Sequence, residues 1–308
     1  DPLWEKVSGT TDIKNKTATV TIKGTDKYFA NSTLKKDDIK LFVDGVPYTG
    51  ATIELSSATT LTEQRTSGGN TTSVQYGVQY TVTVSNYPTD KNQVMFGIPS
   101  GILTDKFGNS NKDTIFRIYN TLKSANVDSD RFGGLNYDER TNSKAFLGNT
   151  NIQRKNVDNV TFEDNIPASV YDKSAKEYKN NTAWDVSAAQ DKSIIAWYET
   201  NANGTVKVYI GSDDAIFGNV DSSYLFACIG YGSDCTSTET ITNIGLLNTT
   251  NVTNMSYMFA DIGYKAMTVL DLGNNFDTSN VTEMYEMFYR TGYTAMTNLN
   301  LGDKFDTS

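Results

Sequence analysis

Over the first hundred and twenty residues, apolar and polar side chains alternate in short runs. They are TATVTIKG (Ala18, Val20, Ile22), IKLFV (Ile39, Leu41, Val43), ATIEL (Ile53, Leu55), YTVTV (Tyr80, Val82, Val84), QVMFGI (Val94, Phe96, Ile98) and TIFRIY (Ile115, Ile118). Successive side chains of an extended chain point to opposite faces, so a period of two predicts strands with one buried face each. Turn residues punctuate the runs at Asp44-Gly45, Ser67-Gly68-Gly69-Asn70 and Phe107-Gly108-Asn109. Short strands with this punctuation predict an antiparallel β-sandwich over residues 1–124.

The pattern changes near residue 219. Asn251 and Asn280 both open NVT, Gly263 and Gly292 both open GY, and Phe276 and Phe305 both open FDTS, each pair 29 residues apart. Eighteen of the 29 aligned positions are identical, chiefly Met, Phe, Leu, Val, Gly and the DTSN turn. A diverged copy precedes them: SYLFACIGY at Ser223–Tyr231 matches SYMFADIGY at Ser256–Tyr264 in seven of nine places at an offset of 33, with Cys228 and Cys235 at the four-residue insertion. Divergence of the first copy is expected of a capping coil.

Within a copy, TVLDL and TNLNL turn Leu270, Leu272, Leu299 and Leu301 one way from a short strand. In NVTNMSYMF the residues Val252, Met255, Met258 and Phe259 follow a three-to-four spacing, which predicts a helical turn or tight coil with one buried face. One such unit cannot enclose its own Met and Leu set. Stacked units can, at about 25 cal/mol per Å² of apolar area removed from water, so residues 219–308 predict a solenoid. The array is expected to continue past Ser308, where the phrase breaks off. Residues 125–218 carry few repeat features and are expected to form a linker and an N-terminal cap. That cap includes a hairpin in IIAWYETNANGTVKVYIG with Asn203-Gly204 at its turn.

Composition narrows the chemistry. There is no histidine among the 308 residues, which removes Ser-His-acid and Cys-His catalysis and the imidazole ligands of zinc and copper sites. Thr (41) and Asn (30) supply nearly a quarter of the chain, favouring strands and Asx-turns over helices. Residues 1–125 carry 14 basic and 12 acidic side chains (+2) and the rest 13 and 24 (−11), giving the total of −9. That charge repels phosphate backbones and anionic bilayers, so nucleic acid is not an expected partner. No apolar run approaches the roughly 18 residues of a membrane span. The chain opens at Asp1 without an export signal, which is expected to lie outside this stretch. With two cysteines seven positions apart, a small disulfide loop between Cys228 and Cys235 and two separate thiols both stand open, because compartment decides between them.

Two resemblances add to this reading. IPSGILTDKFGNSN, Ile98–Asn111, looks like the closing segment of bacterial immunoglobulin-like domains, which implies a spacer or adhesive module over about 120 residues. FDTSNVTEMYEMF and NTTNVTNMSYMF, with WDVSAAQDKSIIAWY, VYIGSDD and SSYLF, closely resemble the BspA-like leucine-rich-repeat surface proteins, whose repeats were first catalogued as a domain of unknown function in mycoplasma lipoproteins. The likeness runs from about Lys144 onward, although GYKAMTVLDLG makes these repeats longer than those common in that family. It implies an exported protein at the bacterial cell surface or cell wall, engaged in adhesion, without catalytic residues or cofactor. The expected partners are a host extracellular-matrix or cell-surface protein, a glycan, or another bacterial surface.

The candidate ligand-binding residues are outward positions that vary between copies: Tyr257, Val269, Asp271, Tyr285, Tyr289, Arg290, Asn298 and Asn300. Other groups read first as structure. Glu283 and Glu286, three apart like a carboxylate pair, replace Asn254 and Tyr257 of the previous copy and so read as surface. Asp213-Asp214 would be the acids of a carbohydrate-active enzyme but read as a turn. Met255, Met258, Met284 and Met287 read as core rather than thioether ligands. Asp105, Asn109, Asn111 and Asp113 have oxygens of the kind calcium takes but read as a polar hairpin loop, and Asp128-Ser129-Asp130 reads as surface loop. The rival to adhesion is a stalk or scaffold with no ligand of its own.

Overall fold

A computed structural model of the chain describes residues 1–125 and 145–308. Among the described residues the fold is mainly β, assembled from several small sheets with no closed barrel. Helix among the described residues is limited to single 3-10 turns. Two compact units divide the chain, Asp1–Tyr119 and Asn120–Ser308.

In the first unit a five-stranded antiparallel sheet runs Leu3–Asp12, Thr17–Thr25, Asn70–Ser85, Thr52–Leu55, with Thr59–Ser67 also paired to Asn70–Ser85. A four-stranded sheet orders Thr114–Asn120, Gln93–Ile98, Lys40–Val43 and Val46–Tyr48. Most of the alternating residues are buried, Ala18, Val20 and Ile22 against Val78, Tyr80, Val82 and Val84 in the first sheet, and Leu41, Val43, Val94, Phe96 and Ile98 in the second, but Ile53 and Leu55 are half-buried and Ile115 is exposed at 43%, with Phe116 buried in its place. Two strands carry no such alternation. Leu3–Asp12 buries only Trp4, and Thr59–Ser67 buries nothing while pairing through the Gly68-Gly69 turn, where both glycines have positive φ. Ladder hydrogen bonds and a turn define that arm, so hydrophobic pattern is silent about it.

The second unit holds a large apolar core extending from Leu122 to Phe305, and a smaller separate cluster of Ile166, Val170, Tyr171, Ile195 and Trp197. Its main sheet orders Trp184–Asp185, Ile195–Thr200, Val206–Gly211, Val157–Glu163 and Ile241–Thr242. Ile195–Thr200 and Val206–Gly211 form the hairpin, with Gly204 at φ +82 in its turn. Val157–Glu163 lies parallel to both Val206–Gly211 and Ile241–Thr242, which joins the hairpin to the strand that follows the first copy's SYLFACIGY. This strand is buried on both faces although VDNVTFE holds three polar residues inside. Asp158 accepts from the Thr236 and Ser237 N–H groups, Asn159 donates to Glu239 O and Thr242 Oγ1, and Thr161 donates to Asn159.

The copies lie side by side in parallel. Strands Val269–Asp271 and Asn298–Asn300 pair with Leu270 opposite Leu299. Phe226, Phe259 and Phe288 stack with centroids 5.6 and 5.5 Å apart. The NVTxMxxMF stretch forms neither helix nor strand but a ribbon of overlapping turns. The N–H groups of Met258, Ala260 and Ile262 donate three residues back, to Met255, Tyr257 and Phe259, while those of Met255, Tyr257, Phe259 and Asp261 donate to the next copy at Glu283, Tyr285, Met287 and Tyr289. Positive φ recurs every fourth residue, at Tyr224 and Cys228, Tyr257 and Asp261, Glu286 and Arg290. The three-to-four spacing of apolar residues thus reports a repeating turn with helix-like side-chain period but intercoil hydrogen bonds.

Gly230, Gly263 and Gly292 occupy one column at φ +70, +55 and +53. A methyl group on Gly263 would overlap Met267 Cβ and Thr240 Oγ1. Gly263→Ala combines a left-handed backbone with overpacking and is expected to cost about 2 kcal/mol. A shift in the urea midpoint of the second unit measures it.

Candidate interaction surface

The eight candidate residues fall on two separate stretches of each coil. Val269, Asp271, Asn298 and Asn300 sit on the paired strands with their side chains away from buried Leu270. Asp271, Asn298 and Asn300 are exposed and Val269 is half-buried. Two of them bind each other, Asn300 donating to Asp271 Oδ1 at 2.9 Å, and each also accepts from a backbone N–H two residues on, Gly273 and Gly302. The outward strand positions therefore form a polar ladder between coils.

The turn ribbon holds the other four, and there the structure corrects the sequence reading. Tyr285 and Tyr289 are exposed, at 64% and 42%. Tyr257 is 6% exposed, stacked on Tyr224 with centroids 4.7 Å apart and meeting Tyr285 edge-on at 5.4 Å. Burial, and next the Glu286 carboxylate, raise its phenol well above the usual range, so it is a neutral hydroxyl. Arg290 donates through Nε to Asp261 Oδ1 at 2.8 Å; the Asp261 side chain is fully buried and the guanidinium also lies over the Tyr264 and Tyr289 rings. Arg290 is held between coils by an ion pair and two rings, where a free ligand contact was expected. Glu283 and Glu286 are both exposed.

Sequence reasoning missed Tyr293, exposed at 64% and stacked on Tyr264 at 5.2 Å, which in turn meets Tyr231 at 5.1 Å. The GY pair repeated in all three copies marks this column, but identity between copies reads as core. Tyr285, Tyr289 and Tyr293 together make the aromatic part of the exposed ribbon.

A cleft of about 490 Å³ is lined by Glu163, Asp164, Asp213 and Asp214 with Leu246 and Lys304. Asp213 is committed to structure within it, accepting from the Ile166 N–H and pairing with Lys173 at 2.7 Å. The hairpin oxygens of the first unit are likewise engaged. Asp105 accepts from Phe107 N–H, Asn109 N–H and the Asn109 side chain, Asn111 from Ile102 and Leu103 N–H, and Asp113 from Ser100 N–H. Burial alone would raise the Asp105 carboxyl, but these donors outweigh it and hold it below the usual carboxylate range. Among the described residues no group of three or more Asp, Glu or Cys is placed to hold a metal. The loop at Asp128–Asp130 lies outside the described residues.

Cys228 and Cys235 are buried as separate thiols with no disulfide between them. Cys228 sits in the turn ribbon, its N–H donating to Ala260 O of the next coil. The Cys235 sulfur is turned instead to the carbonyls of Lys155 and Val157. Burial first, then Asp158, push the Cys235 thiol up to about 12.

Sequence pattern also carries no sign of Arg154. It is 1% exposed and its Nη1 donates to the carbonyls of Tyr224, Leu225 and Ala227 at 2.8, 3.0 and 3.1 Å. The carbonyls equivalent to Leu225 and Ala227 in later coils, Met258 and Ala260, then Met287 and Tyr289, accept N–H groups from the preceding coil. Among the described residues no coil precedes Tyr224–Ala227, and Arg154 supplies the donors there.

Residues 233–308 match the family described as Mycoplasma protein of unknown function, DUF285. No curated protein and no solved structure matches the chain. No helix among the described residues is long and apolar enough to cross a membrane.

Proposed function

We propose that the chain is part of an exported bacterial surface protein that binds a partner through a BspA-like leucine-rich-repeat solenoid. In this reading residues 120–308 are the solenoid with its cap, and the first unit is an immunoglobulin-like sandwich serving as spacer. The protein acts by adhesion rather than catalysis, and its partner is a matrix or cell-surface protein, a glycan or another bacterial surface. One observation carries the reading: coils in parallel register, with Leu270 opposite Leu299, bury a shared Met/Leu/Phe interior and leave Tyr285, Tyr289 and Tyr293 on the outside. Exposed tyrosine supplies large, amphipathic contact area with little rotamer entropy to lose.

Matrix, mucin and bacterial-surface arrays probed with the chain test this. Tyr285→Ser with Tyr293→Ser is expected to weaken capture at least tenfold while the loss of their ring contacts with Tyr257 and Tyr264 lowers the melting midpoint by only a few degrees and leaves the fold intact. Absence of any capture, or capture indifferent to both changes, removes the reading. A stalk is the second reading, favoured by the Asp271–Asn300 bond, which turns outward polar groups to coil cohesion. It predicts the indifferent result.

A further inference from the structure

We propose that the open edge of the first unit, between Val46–Tyr48 and Thr52–Leu55, takes up an extended segment of another protein as an added strand. The segment carries apolar side chains at every second position and acidic residues where it meets Lys36 and Lys40. The two sheets of the unit are closed on one side and open on the other. Its first and last strands, Leu3–Asp12 and Thr114–Asn120, are the edges of the closed side, tied by Thr11 Oγ1 donating to Ile118 O at 2.6 Å. Val46–Tyr48 and Thr52–Leu55 are the edges of the other side. A groove of about 700 Å³ lies there, lined by Ile39, Leu41, Tyr48 and Ile53 with Lys36 and Lys40. Cross-strand partners share a face, yet here the inner face is uncovered. Tyr48, Ile53 and Leu55 are half-buried and Val46 is 65% exposed, while their partners Leu41, Val84, Val82 and Val43 are buried.

Backbone polarity says what fills the edge. The Ser56 N–H donates to Thr81 O, and hydrogen-bonded pairs alternate along an antiparallel ladder. Thr52 and Glu54 therefore bond to Asn70–Ser85, and the N–H and C=O groups of Ile53 and Leu55 point to the free side. An added strand meets both needs, its backbone bonding to Ile53 and Leu55 and every second side chain entering between Ile53 and Tyr48. Charge selects the sequence of that strand. Lys36 and Lys40 make no ion pair with any described residue, Lys40 Nζ donating instead to the Asp37 carbonyl. Asp37 is the single carboxylate among the lining residues, which leaves the rim positive and suited to an acidic segment. The site lies wholly within residues 36–55 and owes nothing to the repeats.

The test adds synthetic peptides of alternating valine and threonine to the whole chain, one flanked at both ends by aspartates and one by lysines, and follows amide hydrogen exchange. In the chain alone the Ile53 and Leu55 amides are expected to exchange freely. The aspartate peptide at saturation should slow both at least tenfold and bind at least tenfold more tightly than the lysine peptide. Lys36→Glu with Lys40→Glu should reverse that preference. Ile53→Pro removes an outward N–H without touching the ladder to Asn70–Ser85, and should abolish binding. The charge reversal decides the matter if the proline variant does not fold. Unchanged exchange with both peptides, equal binding of the two, or protection of these amides in the chain alone, by its own residues or in a dimer, would each overturn the proposal.

Discussion

Arg154→Ala is expected to lower the stability of the Asn120–Ser308 unit by roughly 3 to 5 kcal/mol, because it leaves buried carbonyls at Leu225 and Ala227 without their charged donor. The loss exceeds that of an ordinary surface arginine because the guanidinium is 1% exposed and closes the end of a hydrogen-bonded array. It also packs over the Phe146 ring at 5.5 Å, so truncation opens a void as well. Arg154→Lys keeps the charge but not the planar fork, and should fall between wild type and Ala. Denaturant unfolding followed through Trp184 and Trp197 reads the second unit, while Trp4 reports on the first, whose transition should stay in place. A loss below about 1 kcal/mol would show that the first coil closes itself without Arg154.

The capping role was not legible because nothing in QRKNVD distinguishes a buried arginine from a solvated one. Sequence pattern records side-chain burial, and the need Arg154 meets belongs to backbone carbonyls seventy residues away. The strand Val157–Glu163 was hidden for a related reason. Buried on both faces, it has no alternation to detect, and its Asp158, Asn159 and Thr161 look like solvent-facing residues until their partners in 236–242 are known. What could be read was whatever repeats or alternates: the strands around Val20, Val82 and Phe96, the hairpin at Gly204, and the register that sets Leu270 against Leu299.

The surface was half legible. Treating positions that differ between copies as solvent-facing works for Tyr285, Asn298 and Glu283, which are exposed. It fails for Tyr257, and for Asp261 with Arg290, because neighbouring coils place equivalent positions in contact. A column one coil apart can vary as a matched set, aspartate answering arginine, and still be interior. It fails in the opposite sense for Tyr264 and Tyr293, identical in sequence yet at the surface, where they stack on each other. Variation between copies reports on pairing as much as on exposure.

That distinction governs what an Arg290 variant means. Arg290→Ala removes the guanidinium from a carboxylate with no exposed surface, and a buried charge stripped of its counter-ion is costly, about 2 to 4 kcal/mol here since the arginine side keeps some solvent contact. Asp261→Ala with Arg290→Ala removes both charges, and should recover at least half of that loss. The first copy already tolerates a neutral residue in this column, Cys228. A double-mutant cycle on the unfolding free energy checks the coupling, and additive effects would deny the pair any structural part. A fall in adhesion caused by Arg290→Ala alone would then report a loosened coil, whereas a fall caused by changing Tyr285 and Tyr293, which are exposed and outside the pair, would report on the proposed contact with a partner.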